Sequence, residues 1–251
     1  MNAISKKIMV ITPLLSFQYF FICAQIYTHR FEAGINGGAF IYTGDLSRSD
    51  LGSYVTMRPQ FGFHAAYLLN RSFSVRANFS FGSLRGDDSK YSTPAYRQQR
   101  NFKFTTPVTE FTGLLVWDIF RKNAVEQRRG FAPYIFAGAG ISLLNIQRDY
   151  SRYNAEYFDA ETTGAGLAAD IAHRTPVSLP VIPVGAGLKY YISPKLAVQA
   201  ETNYRIMSTD YLDGFSRSAN PAKKDNYYSF SLGVVLALGY KDRNDCPPVK
   251  P

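Results

Sequence analysis

Residues 227–240 have the sequence YYSFSLGVVLALGY, in which two kinds of side chain alternate. Every second residue from Tyr228 to Tyr240 is large and apolar or aromatic, whereas the residues between them are small apart from Val235. Side chains on a β-strand point alternately to opposite faces, so the segment predicts a strand with one bulky apolar face. That face has an aromatic residue at each end and covers the roughly 9–11 residues that a tilted strand needs to cross a bilayer. The pattern is typical of a lipid-facing strand.

Seven further segments show the same alternation and bring the predicted total to about eight strands. In residues 132–144, however, Tyr134 and Phe136 compete with Ile135 and Ala137 for the apolar face, so the pattern leaves the phase of this fifth strand open. Together the segments predict an all-β fold, an eight-stranded antiparallel up-and-down transmembrane β-barrel. The other seven segments are 30–42, 59–69, 73–82, 104–120, 132–144, 182–192 and 196–205.

The composition agrees with this prediction. The 251 residues are 46% hydrophobic and 15% aromatic, which suits one strand-rich domain, and the mean hydropathy of -0.16 is expected when apolar and polar residues alternate. The alternative is a soluble β-sandwich or lipocalin-like barrel, whose large apolar face would point inward.

The predicted connections alternate between long and short. Outer-membrane barrels have long loops outside the cell and short turns in the periplasm, so both chain ends are expected in the periplasm of a bacterial outer-membrane protein. The long connections are 43–57, 85–101, 147–176 and 209–225, and the short ones are 70–72, 121–130 and 193–195.

The first 24 residues predict a cleaved secretory signal. Lys6 and Lys7 precede an apolar run over residues 8–21, and Ala24 provides a small residue at the cleavage site. The alternative is a lipoprotein acylated on Cys23. The predicted organisation is a signal peptide at 1–24, a barrel at 25–240 and a short periplasmic tail at 241–251.

The chain is basic, with a formal charge of +9 that becomes +7 once the two lysines of the signal are lost. The basic residues are scattered and accompany no nucleic-acid motif, so we expect outer-membrane lipid rather than nucleic acid as a partner.

Ionisable residues recur on the predicted inward faces. An eight-stranded barrel is just wide enough for side chains to fill it, so these charges should be paired to offset their desolvation. The favoured interpretation is a salt-bridged plug that stiffens the barrel, and the alternative is an ion path. The predicted interior charge network comprises Glu32, Arg76, Glu110, Asp118, Lys189, Glu201 and Arg205.

Residues suited to catalysis or metal binding are sparse. His173 with Asp170 and Ser178 could be drawn as a lipid-modifying site, although a solvated loop histidine is favoured. Asp45, Asp87 and Asp88 could bind a cation in the loops, although acidic loop residues are usually solvated. No metal-ligand spacing or phosphate-binding glycine motif occurs, so the sequence predicts no metal, no cofactor and no enzymatic activity.

Cysteine 246 would be the one thiol of the mature chain, because Cys23 belongs to the predicted signal. It could form an intermolecular disulfide or remain free.

Several motifs resemble one known family. They are GGAFIYTGDL at 37–46, RPQFGFHAAYLLNRSFSVRANFSFGSLRGDD at 58–88, RNFKF at 100–104 with Pro107 and Glu110, and FAPYIFAGAG at 131–140. In order and character they resemble the PorG-type outer-membrane proteins of Bacteroidota over residues 30–145, and by pattern alone beyond them.

The resemblance implies a component of the type IX protein secretion system. Such a barrel would be a non-enzymatic anchor or alignment piece for a periplasmic ring resembling PorK and PorN. The short turns and the tail would then meet the ring, and the predicted partner-binding residues are Arg121, Lys122, Arg128, Arg129 and Cys246. The alternatives are a general surface or adhesion barrel that binds through its long loops, and a lipid-modifying barrel enzyme.

Overall fold

The computed structural model describes residues 31–49, 51–121, 123, 129–220 and 224–238. The predicted signal peptide at 1–24 and the tail at 241–251, with Cys246, lie outside the described residues. Within these ranges the chain forms nine strands, of which eight are long and β6 is a three-residue strand beside β4. They are β1 Phe31–Thr43, β2 Arg58–Leu68, β3 Phe73–Asp87, β4 Lys103–Asp118, β5 Gly130–Leu144, β6 Gln147–Asp149, β7 Ser178–Tyr191, β8 Leu196–Met207 and β9 Asn226–Leu238.

The eight long strands form a closed ring in which each pairs antiparallel with its neighbours. Closure occurs at β1, where Phe31 lies opposite Tyr67 of β2 and opposite Leu238 of β9. The prediction of an eight-stranded antiparallel up-and-down barrel is therefore confirmed. The first residue of β1 and the last of β9 lie at the end of the barrel that carries the three short connections.

The apolar faces of the strands point outward. On β9, Leu232 is 71% exposed, whereas Val235 on the opposite face is 2% exposed. Polar residues such as Gln60 and Gln199 are buried on the inward faces. A belt of exposed Phe, Leu, Ile and Val around a closed barrel with a polar interior is the surface pattern of a barrel in a lipid bilayer. The inward-facing apolar alternative is wrong.

The structure decides the orientation of β5. Tyr134 and Phe136 point inward and are 2% and 4% exposed, whereas Ile135 faces outward. Their partners in the ladder are Gly187 and Gly185 of β7, which have no side chains of their own. A glycine in a strand lets a neighbouring group approach closely, and here it makes room for two inward aromatic rings.

The four long connections fold over one end of the barrel. They contain a 3₁₀-turn at Asp88–Lys90, α1 at Tyr96–Arg100, a π-helical turn at Ala160–Gly164 and α2 at Ala165–Ala172, so the region predicted to be irregular is partly ordered. Apolar residues from these connections pack onto inward-facing residues at the barrel mouth, and the Phe102 and Phe215 rings stack with centroids 4.3 Å apart. We call the described parts of these connections, within 44–57, 88–102, 145–177 and 208–225, the cap.

Among the described residues, no helix is long and apolar enough to span a membrane.

Candidate functional site

Three ion pairs between described residues cross the barrel interior. Lys189 Nζ lies 2.7 Å from Glu32 Oε2, Arg76 Nη1 lies 2.8 Å from Glu201 Oε2, and Arg205 Nε lies 3.1 Å from Glu110 Oε2. Their side chains are all at most 9% exposed. Buried ions are tolerated when they are paired and hydrogen-bonded, so the predicted interior residues are brought together as pairs along the barrel.

Neighbouring hydroxyl groups complete these pairs. The Tyr134 hydroxyl donates to Glu201 Oε2 over 2.8 Å, and the Tyr227 hydroxyl donates to Glu110 Oε2 over 2.7 Å. Arg205 Nη1 also donates to Ser229 Oγ over 2.6 Å. Asp118, the seventh predicted interior residue, is buried with 4% exposure and is not without an interaction partner. The network links side chains of strands that are not neighbours in the sheet across the barrel interior.

The second polar centre lies at the junction of barrel and cap. The Tyr42 hydroxyl lies 2.7 Å from Asp213 Oδ2 and 2.5 Å from Asp225 Oδ1, and all three residues are buried. A hydroxyl has one proton to donate, so Tyr42 donates to one carboxylate and accepts from the other carboxyl group, which must be protonated.

Burial explains how that proton is retained. It raises the pKa of Asp225 to about 8, with Asp45 and Asp210 adding like-charge repulsion. Burial, reinforced by the Asp225 charge, also raises the pKa of Asp213 well above its ordinary value. The backbone N–H of Leu212 donates to Asp225 Oδ2 over 3.1 Å. This acid pair therefore joins the fourth long connection to β1.

Two further buried aspartates organise the cap. Asp88 is fully buried and accepts from Arg100 Nε over 2.7 Å and from Arg97 Nη1 over 3.2 Å. Asp170 on α2 accepts from the backbone N–H groups of Ser216, Arg217 and Ser218 over 2.9 to 3.1 Å. Each aspartate fixes one segment of the cap against another.

The predicted cation and lipid-enzyme residues have other roles. Asp87 and Asp88 are buried against basic side chains, so the expectation that the loop acids are solvated is wrong for them. The His173 ring stacks on Tyr211 with centroids 4.0 Å apart. The backbone N–H of His173 donates to the Asp170 carbonyl over 3.2 Å, but among the described residues no hydrogen bond joins its imidazole to Asp170 or Ser178. The described part of the chain holds no group of three or more His, Cys, Asp or Glu suited to a metal ion.

The predicted partner-binding residues lie at the end of the barrel opposite the cap or outside the described residues. Arg121 and Arg129 flank the second short connection and are exposed, whereas Lys122, Arg128 and Cys246 are outside the described residues. The Asn123 side chain donates to the Asn70 carbonyl over 3.2 Å, and its backbone N–H donates to the Arg71 carbonyl over 3.3 Å. These bonds fasten the second short connection to the first.

The family assignment comes from the sequence as a whole. A family model described as a domain of unknown function, DUF6089, matches residues 6–240. The chain belongs to the DUF6089 family. No match was found for this DUF6089 chain among the curated proteins.

Solved structures similar to the DUF6089 chain include three small outer-membrane proteins. Ail of Yersinia pestis is 14% identical with a TM-score of 0.44, and the match covers 84% of this chain and 99% of Ail. Neisserial surface protein A is 15% identical with a TM-score of 0.43 and the same two coverages. OprG from Pseudomonas aeruginosa is 11% identical with a TM-score of 0.41, over 83% of this chain and 96% of OprG. At these identities the likeness concerns the fold.

Proposed function

We propose that this barrel is a non-enzymatic outer-membrane anchor that aligns a periplasmic ring of a type IX protein secretion system. The observation that carries the proposal is the filled barrel: three buried ion pairs cross the lumen, and the cap packs over one mouth. A barrel closed in this way is suited to holding a position in the membrane. It is poorly suited to passing solutes.

The orientation follows from the asymmetry of the connections. Long loops of outer-membrane barrels lie outside the cell, so the cap would face outward and the short connections would face the periplasm. The beginning of β1 and the end of β9 share the short-connection end, which fits export through an N-terminal signal. The predicted tail at 241–251 would extend the same surface.

The surface offered to a ring is basic. Arg71 and Arg121 are exposed on the first and second short connections, which are tied together through Asn123. Arg129 is exposed where the second short connection meets β5. The resemblance to PorG-type proteins supports a ring built from proteins resembling PorK and PorN, and a basic rim favours an acidic face on such a partner.

Charge reversal tests this proposal. The triple variant Arg121→Glu, Arg128→Glu, Arg129→Glu should recover less ring protein from solubilised outer membranes and should secrete less cargo. A barrel that still shows the gel shift of folded protein would demonstrate that insertion is intact. The matched control is Arg174→Glu, an exposed arginine in the cap. Normal recovery and normal secretion by the correctly inserted triple variant would contradict the anchor.

The tail is tested separately. Under the same proposal Cys246 forms a disulfide with a partner, so a non-reducing gel should show an adduct that Cys246→Ser removes. An identical band pattern in the two chains would eliminate the disulfide without affecting the charge-reversal test.

A further inference from the structure

A polar pocket of about 370 Å³ opens on the cap, at the opposite end of the barrel from the proposed ring surface. The first, second and fourth long connections form its walls. Its volume lies within the roughly 300–1,000 Å³ of small-molecule sites. The residues that matter for its chemistry are Asp45, Arg48, Tyr96, Arg97, Arg100 and Asn220.

Buried hydrogen bonds hold the walls of this pocket together. Arg97 Nη2 donates to the carbonyls of Ser47 and Asp45 over 2.7 and 3.2 Å, which joins the second connection to the first. Asp45 Oδ2 accepts from the backbone N–H of Asn220 over 2.7 Å, which joins the fourth. Arg97 and Arg100 also bind the fully buried Asp88. The two guanidinium groups are therefore held in place before any ligand binds. Preorganised donors lower the entropic cost of binding.

The pocket holds more donors than acceptors. Asp88 is one carboxylate shared by Arg97 and Arg100, and Arg48 is exposed with no partner among the described residues. Arg97 Nε is buried and has no acceptor within the same residues. Arg48 is therefore the one guanidinium of the pocket lining that no carboxylate among the described residues pairs with. An anionic ligand with several acceptor oxygens would correct this imbalance.

We propose that the pocket binds a small sugar bearing a phosphate or carboxylate group. The planar fork of an arginine matches both oxyanions through paired N–H···O bonds, and Arg48 is the guanidinium free to make them. The Tyr96 ring is 40% exposed and lies 5.7 Å from the Arg100 guanidinium, so it presents a flat face beside the charge. That face is suited to the apolar side of a sugar ring, while the exposed Asn220 and Ser49 can bond its hydroxyls.

Calorimetric titration of the purified full-length barrel in lipid nanodiscs tests the proposal. The probes are glucose 6-phosphate, glucuronate, inorganic phosphate and uncharged glucose. We expect the two sugar anions to bind, phosphate alone to bind more weakly and glucose to show no binding. Affinity should fall as ionic strength rises, because exposed charges are screened by salt.

Arg48→Gln is the decisive variant, because Arg48 makes no contact that supports the cap among the described residues. It should lower the affinity for sugar anions about tenfold, the loss expected for a charge-assisted hydrogen bond. Arg174→Gln, an exposed cap arginine outside the pocket, should bind like the parent chain. Equal binding of glucose, unchanged affinity in Arg48→Gln, or no binding of either sugar anion would each overturn the proposal. None of these outcomes bears on the anchor, whose surface is at the other end of the barrel.

Discussion

Tyr134 of β5 lies directly opposite Gly187 of β7, and its ring fills the space that a side chain at position 187 would need. A Cβ built on Gly187 would come within 2.3 Å of Tyr134 Cζ. The ring cannot move aside freely, because its hydroxyl donates to Glu201 within the Arg76 ion pair. The absence of a side chain at Gly187 therefore allows Tyr134 to occupy the position from which its hydroxyl bonds Glu201.

Replacing this glycine should destabilise the barrel. Gly187→Ala forces the Tyr134 ring out of its place, and overpacking of this kind costs about 1–3 kcal/mol. Urea unfolding in lipid vesicles, followed by the gel mobility of the folded form, measures the change. Gly113→Ala is the matched control, since a Cβ at Gly113 meets no atom within 4 Å. Equal stability of the two variants would refute the close contact.

The orientation of β5 shows what the sequence can and cannot predict. On the other long strands the alternation is strong enough to predict which face points outward, although β4 also has Leu114 and Val116 on its inward face. On β5 both faces are apolar, so alternation does not decide the phase. The deciding information lies on β7, where Gly185 and Gly187 leave space on the inward face for the rings of the β5 residues opposite them. Combining strand order with the glycine positions would have resolved the ambiguity.

The alternation of residues does not predict the cap, for a different reason. Tyr42 and Asp213 are 171 residues apart, and periodicity carries no information about such contacts. Inward Phe40 and Tyr42 at the end of β1 were the available signal, because bulky aromatics at a barrel mouth need apolar partners. Asp88 likewise resembles an ordinary loop acid until α1 brings Arg97 and Arg100 against it.

Because the interior ions are paired, replacing one partner should lower the free energy of unfolding much more than replacing both partners together. Lys189→Met leaves Glu32 buried without its ammonium partner, which should cost about 3–5 kcal/mol in the free energy of unfolding. Adding Glu32→Gln removes the buried negative charge and should recover much of that loss. Urea unfolding of the single and double variants provides the comparison, and Lys90→Met serves as an exposed control in the cap. If the double variant were no more stable than the single one, the pairing would not matter energetically.

Asp213 and Asp225, the acid pair beneath the cap, predict that the cap becomes less stable as the pH rises. Asp225 has a pKa of about 8 in the folded chain, whereas an unfolded aspartate titrates near pH 4. Between these values the folded form holds a proton that the unfolded form has lost, so stability falls with increasing pH and the full loss is reached above about pH 8. The charged or titratable neighbours of the pair are Tyr42, Asp45, Arg100 and Asp210.

Hydrogen exchange of residues 209–225, corrected for the intrinsic dependence of exchange on pH, measures this effect. Protection should decline between pH 5 and pH 9 in the parent chain. Asp225→Asn should make the profile less steep, because an amide can donate to Tyr42 at every pH as the protonated acid does, although Asp213 still titrates. Glu156→Gln, which alters an exposed cap carboxylate, should retain the parent profile. A flat profile in the parent chain would contradict a shared proton.

Apolar side chains of the closed barrel face lipid, while the ionised ones face inward. Trp117 is the one tryptophan of the chain, so Trp117→Phe provides a background for single tryptophans placed at Leu232, which faces outward, or at Phe136, which faces inward. We expect brominated lipids to quench fluorescence strongly in the Leu232→Trp chain and weakly in the Phe136→Trp chain. Equal quenching at both positions, or stronger quenching at Phe136→Trp, would show that this arrangement of the two faces is wrong.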